Sequence, residues 1–429
     1  MSSNASKSFT VAVVGGGIAG LTLAIALEQR GIPVQVYERT PHFREIGAGI
    51  SFSPNAVRAM EVCALSVRAA FDAVATLNGW ESKRKVWFDY YDGMAPEACD
   101  ILFTISSSTG QNGLHRAHFL DELVKQFPAE KAHFGKMLED IEECDSGKLV
   151  MRFADGTTAE ADAVVGCDGI HSRVRKLIIG EDHPAARPTY THKYAYRGLV
   201  PMQKAIEAIG EEKARNSCMF LGERGHVLTF PMERGEILNM VAFHEDKSDW
   251  ADDQHMTRPS TREAALEDFK DFGHDVTKVL ELTPAENSIW AIFDLCHPLP
   301  TYTKGRLLVT GDAAHATSPH HGSGAGFAIE DSAFLAELLA DERVKSTRDL
   351  EAVFATFDEA RRERGNWLVK SSRFVGEADE AMAPGIGPVA RDWKKIQDEV
   401  EDRYYNTIIS YDTQKEADKA KELLHNKLA

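Results

Sequence analysis

Val11-Ala12-Val13-Val14-Gly15-Gly16-Gly17-Ile18-Ala19-Gly20-Leu21-Thr22-Leu23-Ala24-Ile25-Ala26-Leu27 is the stretch on which the fold turns. A short apolar run, a glycine turn, a helix from Ile18 to Arg30 and a second apolar run, Val34 to Tyr37, spell a βαβ unit. The spacing Gly15-x-Gly17-x-x-Gly20 has a physical reason at each position. Gly15 makes the tight turn, Gly17 admits a pyrophosphate, and Gly20 lets the helix pack closely. Glu38, 18 residues beyond Gly20, ends the second run, where a carboxylate accepts hydrogen bonds from an adenosine ribose and repels a 2′-phosphate. NAD and FAD both satisfy this pattern, and a glycine-rich turn with an exposed Glu is the bland competitor.

Two further apolar runs, Ala163-Val164-Val165 and Leu307-Leu308-Val309, each end in a Gly/Asp turn and predict two more buried parallel strands. Between them, alternating stretches at Lys193 to Val200, His226 to Pro231 and Ile237 to Phe243 predict antiparallel strands of an inserted, sheet-rich domain. After Gly326 the chain reads as helical through Arg364, and the charged stretch from Asp392 reads as a solvated helical cap. The 429 residues exceed what one hydrophobic core usually supports.

Composition excludes several classes. With 43% hydrophobic and 27% charged residues the chain is an ordinary globular one, and its net charge of -17 argues against a nucleic-acid footprint. The six cysteines lie far apart, with no metal-ligand spacing, which favours a reducing, cytoplasmic setting. No apolar run reaches the length a membrane helix requires, and Met1 to Ser8 lacks the architecture of a secretory signal.

The segments Gly166-Cys167-Asp168-Gly169-Ile170-His171-Ser172-Arg173 and Gly311-Asp312-Ala313-Ala314-His315 decide between the two dinucleotides. They resemble the "DG" and "GD" motifs of single-component aromatic flavin hydroxylases, related to p-hydroxybenzoate and salicylate hydroxylases. The run from Gly311 to Asp331, with Pro319-His320-His321-Gly322-Ser323-Gly324-Ala325-Gly326, is similar to the fungal salicylate-hydroxylase-like group. The resemblance implies an α/β fold of the p-hydroxybenzoate hydroxylase kind. A Rossmann-type FAD-binding domain would take residues 8–79, 107–183 and 290–365, an inserted β-sheet substrate domain 80–106 and 184–289, and a helical C-terminus 366–429. It also implies FAD contacts. Asp312 would meet the ribityl chain, and Gly324, Ala325 and Gly326 would offer backbone N–H groups. Arg116, Ala48 and Gly49 would lie by the flavin ring, Arg39 beside Glu38, and Asp168 would support both cofactor and fold. A surface ion pair competes for Arg116, a helix cap for Asp312, and a structural salt bridge for Arg173.

The implied chemistry is reduction of FAD by NADH or NADPH, addition of O2 at flavin C4a, and oxygen transfer from the hydroperoxide to a small phenol. Salicylate 1-hydroxylase-type decarboxylative hydroxylation to a catechol is the leading expectation. Ortho or dearomatising hydroxylation of an alkylated phenol is the alternative, and a non-oxygenating flavin oxidoreductase or an FAD-holding regulatory protein is remoter. No resident nicotinamide domain is visible, so NAD(P)H visits transiently to a monomer or homodimer. Arg197 and His226, on strands of the inserted domain, are candidates to hold and deprotonate the phenol. Phe230 stands where the dearomatising enzymes carry a Tyr, and Pro319 belongs to the reaction side. Loop packing, rather than metal binding, is the expectation for His315, His320 and His321.

Overall fold

The computed structural model describes residues 7–43, 49–97, 99–386 and 392–429. The opening stretch folds as read: strand Val11–Val14, helix Ile18–Gln29, strand Val34–Glu38. Val11–Val14 is the centre of a six-stranded sheet, paired in parallel with Ala163–Gly166 on one side and Val34–Glu38 on the other. Leu307–Val309 continues the sheet beyond Ala163–Gly166, and Ala132–Phe134 beyond Val34–Glu38. The two central strands are buried on both faces, which is why they are Val and Ala up to the closing Gly166 rather than alternating. Helix Ile18–Gln29 covers this sheet and packs on helix Gly324–Ala340, so both are apolar almost all round.

A second, eight-stranded sheet carries the alternating sequences. In sheet order its strands are Thr257–Thr261, Glu286–Asp294, Thr189–Pro201, Ile237–Glu245, Gly225–Met232, Cys218–Leu221, Val86–Asp92 and Phe103–Ser106. Period-two alternation sorts its side chains. Val241 and Phe243 face a cavity together with Leu228 and Phe230, while Met240, Ala242 and Val227 pack with helices Met202–Ile209 and His274–Glu281.

The helical region after Gly326 is two helices, not one. Gly324–Ala340 ends, a Ser346/Asp349 capping box restarts the chain, and Leu350–Asp379 runs on well past Arg364. The two helices are tied by buried charges. Arg361 donates to Glu330 at 2.8 Å and to Asp331 at 2.7 Å, Arg364 also pairs with Glu330, and His315 meets Asp331 at 2.7 Å. Each carboxylate is held below its usual range by the arginines, which outweigh the cost of burial.

The C-terminal stretch corrects the expectation of a solvated cap. Ile396, Val400, Tyr404 and Ile408 are buried in one cluster with Trp87 and Phe88, and Ala417 and Leu424 close on the core. Charge fills only the outer face of these helices, and the inner face is a wall of the molecule. Among the described residues no helix is long and apolar enough to cross a membrane.

Candidate active site

The glycine turn is a cradle with no room for side chains. Gly15 has φ +107°, and a Cβ there would lie 2.3 Å from the Cys167 carbonyl oxygen; one on Gly20 would lie 1.9 Å from the Gly15 oxygen. Gly17 is the N-cap of helix Ile18–Gln29 and brings no capping side chain, so the helix start is open to a phosphate. Glu38 closes the turn by accepting from the Gly16 N–H at 2.6 Å and the Thr40 N–H at 2.8 Å, and Arg39 beside it is exposed.

Asp168 is half-buried and accepts from Ser172 and from the N–H groups of Arg173 and Val174, so its observed contacts anchor helix Arg173–Ile179. Burial nevertheless raises its pKa. Arg173 binds the Glu139 carbonyl and pairs with Glu181, the structural bridge that competed for it.

A cavity of about 230 Å³ lies against the eight-stranded sheet, closed by the segments 49–51 and 317–325. It gathers much of what the sequence singled out: Gly49, Arg116, Arg197, Phe230, Asp312, Pro319, Gly324 and Ala325 all line it. Gly47 and Ala48 lie outside the described residues. Asp312 opens the short helix Asp312–His315, is exposed, and makes no hydrogen bond among the described residues; Gly311 is the N-cap, so the capping alternative falls. Gly324–Ala340 begins at the cavity. Its first intrahelical bond is from the Phe327 N–H to Ser323, which leaves the N–H groups of Gly324, Ala325 and Gly326 without acceptors in the helix. Gly326 itself is buried, packed on Ala56 behind the cavity wall.

A glycine cradle that any Cβ would fill, a free carboxylate and a row of open N–H donors at a helix start fit FAD, with its pyrophosphate, ribityl hydroxyls and flavin carbonyls.

Arg197 is the unusual group. Its guanidinium lies over the Trp290 ring, 4.4 Å from the centroid, and makes no hydrogen bond among the described residues. Burial, with Arg116 nearby, lowers its pKa to about 10. A buried cation without a carboxylate is costly unless an anion joins it. Arg197 also borders a second, more open cleft of about 580 Å³, walled by Asn239, Asn287 and Trp290.

His226 does not reach the cavity. It is wholly buried, with Nδ1 3.1 Å from Glu380 Oε1 and its ring stacked on Phe243. The group on the wall is His320, which burial, helped by the positive charge of Lys193, keeps neutral. His321 also lines the cavity but spends its Nε2 on Ser371, and His315 lies away from it, bound to Asp331. Sequence reading missed Trp290, Lys193 and Glu380. Lys193 and Glu380 are paired across 187 residues, a distance no local pattern reports.

A family model described as an FAD binding domain matches residues 8–372, and the chain belongs to that family. The FAD-dependent monooxygenase pigN of Monascus ruber is 47% identical over 401 residues, covering 91% of each chain. The 6-methylsalicylate 1-monooxygenase atA of Aspergillus terreus is 43% identical over 373 residues, 86% of this chain and 82% of that one. A salicylate hydroxylase solved as its substrate complex superposes with a TM-score of 0.84 at 35% identity, covering 96% of this chain and 98% of that one. The protein is a flavin-dependent monooxygenase with FAD as cofactor. More narrowly, it is a monooxygenase of the salicylate hydroxylase type, and NAD(P)H is the co-substrate typical of its family.

Proposed function

We propose that the protein hydroxylates a small phenol bearing an anionic ring substituent, at the substituted carbon, with loss of CO2 to give a catechol. The observation that carries this reading is Arg197: a half-buried guanidinium, its Nε fully enclosed, with no acceptor among the described residues, on an otherwise largely apolar wall of Leu228, Phe230 and Val241. Such a group calls for a carboxylate or phenolate, and its planar fork binds one bidentately. The cavity, about 230 Å³, suits a single substituted ring. In this reading the first sheet with its glycine cradle forms the cofactor domain and the eight-stranded sheet the substrate domain, within the boundaries given by sequence.

Asp312, Arg116, Gly49 and the N–H groups of Gly324 to Gly326 would hold FAD, which supplies, when bound, the electrons and oxygen activation for the reaction. The chain's own residues do the rest. Arg197 fixes the anion and thereby the ring. Leu228, Phe230, Val241 and Trp87 exclude water, which protects a reactive oxygen donor from side reactions. His320, neutral at the wall, accepts the phenolic proton, and the resulting phenolate is electron-rich enough to take an electrophilic oxygen. Phe230 offers the ring no hydroxyl, which weighs against the dearomatising alternative.

The test is to supply the holoenzyme with salicylate, alkylated salicylates and carboxyl-free alkylphenols, follow NAD(P)H consumption, and weigh the products. Catechol with CO2 released in step with NAD(P)H supports the reading. A product that keeps every carbon and gains one oxygen replaces it with ortho or dearomatising hydroxylation, for which the cleft beyond Arg197 leaves room for a longer substituent. No product with any phenol would leave a non-oxygenating flavoprotein.

A further inference from the structure

Behind His320 lies a buried cluster that the reaction described above does not use. Glu380 has no exposed surface; it accepts from His226 Nδ1 with one oxygen and from Lys193 Nζ with the other. The bond to Glu380 fixes the hydrogen of neutral His226 on Nδ1, which leaves Nε2 as an acceptor, and Nε2 is buried with no partner among the described residues. His320 presents the complement: its Nδ1 is also buried with no partner among the described residues, and the two rings lie 5.2 Å apart. One nitrogen of His226, one of His320 and one Glu380 oxygen lie within 4.8 Å of one another, a separation that a bridging water spans. A metal ion is a poor occupant, because the Lys193 ammonium already holds the carboxylate.

We propose that His226, Glu380 and Lys193 form a proton relay behind His320 that receives the phenolic proton and sets the ionisation of the bound phenol. This rests on the phenol reading above. The phenol O–H bond breaks as an N–H bond forms on the cavity-facing nitrogen of His320. The proton on His320 Nδ1 passes to His226 Nε2, so that His320 ends neutral and His226 ends as an imidazolium. No electrons change hands, and the positive charge rests against Glu380, which Lys193 keeps ionised. His226 and Glu380 are positioning residues, and only His320 touches the substrate. The other groups facing the relay are Asp379, beside His226, Glu380 and Lys193, and His321 and Arg373, beside His320. Tyr90 faces Asp379 from the cavity side.

The probe is 4-nitrophenol or 5-nitrosalicylate bound to the holoenzyme, whose phenolate absorbs in the visible. In the native enzyme the bound probe ionises below its free value. Glu380→Gln and His226→Asn raise its apparent pKa by about one unit or more, and move the acidic limb of the kcat profile with it, while Glu380→Asp restores both. Should Glu380→Gln fail to fold around an unpaired Lys193, the double variant Lys193→Met/Glu380→Gln removes both charges and shows the same shift. Variants that bind the probe with unchanged ionisation and an unchanged pH profile overturn the relay alone. A native enzyme that binds neither probe overturns the phenol reading, and the relay with it.

Discussion

Replacing Arg197 by Met separates an anchor for substrate from a structural ion pair, because the two roles predict opposite signs for stability. The half-buried side chain lies over Trp290, and desolvation takes its pKa from 12.5 to about 10. That depression corresponds to on the order of 3 kcal/mol by which the empty fold is disfavoured while the group stays charged. Loss of the contact with the Trp290 ring offsets about 1 kcal/mol of that relief. Arg197→Met should therefore stabilise the substrate-free protein by about 2 kcal/mol, a rise of a few degrees in Tm. Binding should go the other way. Charge-assisted hydrogen bonds contribute about 1.5–3 kcal/mol, so the Kd for an anionic phenol should rise by about 10- to 150-fold. Arg197→Lys keeps the charge, loses the fork, and falls between. The assay is a titration of flavin absorbance with salicylate, beside thermal denaturation without it, in protein of verified FAD content. A lower Tm with an unchanged Kd would refute the anchor and make Arg197 a piece of the fold.

Gly20→Ala forces a Cβ to 1.9 Å from the Gly15 oxygen, and Asp312→Ala removes a carboxylate that lines the cavity, so both should lower the flavin-to-protein absorbance ratio after dialysis. Only Gly20→Ala should also lower the yield of folded protein, and full flavin in both variants would displace the cradle from its role. Arg361→Leu leaves Glu330 to Arg364 and Asp331 to His315 and Thr310, a buried network short of one cation, and should cost about 3 kcal/mol; an unchanged Tm would show the network to be idle. Burial, with Glu380 alongside, pushes the Asp379 carboxyl from 3.8 up to about 7 despite the pull of His226 and Lys193. A raised carboxyl favours the fold while protonated, and that contribution drains away as pH climbs from about 3.8 through about 7. Asp379→Asn does not titrate, so its Tm relative to the native protein should improve across that window and level off above it; a difference that is flat with pH would count against the assignment.

The glycine turn was legible because its constraints are local: Gly15 and Gly20 meet backbone a few ångströms away, and their spacing is the geometry itself. The strands of the second sheet were legible for a similar reason, since Val241 and Phe243 must face one way and Met240 and Ala242 the other. The C-terminal helices went wrong through weighting. Ile396, Val400, Tyr404 and Ile408 recur every fourth residue, an apolar stripe visible in the sequence and masked there by the charge around it.

His226 shows where alternation stops helping. Residues 226, 228 and 230 share one face of their strand, so period-two reasoning sends all three toward the substrate. Leu228 and Phe230 do line the cavity, but His226 is covered by Phe243 from the neighbouring strand and by His320 and Glu380 from segments distant in sequence. Whether a side chain on the correct face of a strand touches substrate or stands one layer behind it depends on what the remaining chain lays over it, and here a neutral imidazole is laid over one held by a carboxylate. Unlike a lone imidazole at the wall, which would have to carry the phenolic proton as a buried charge beside Lys193 and Arg373, the proposed relay moves that charge onto a ring whose other nitrogen, Nδ1, already faces Glu380. The residue misplaced by alternation is therefore the one whose surroundings are best suited to hold the proton.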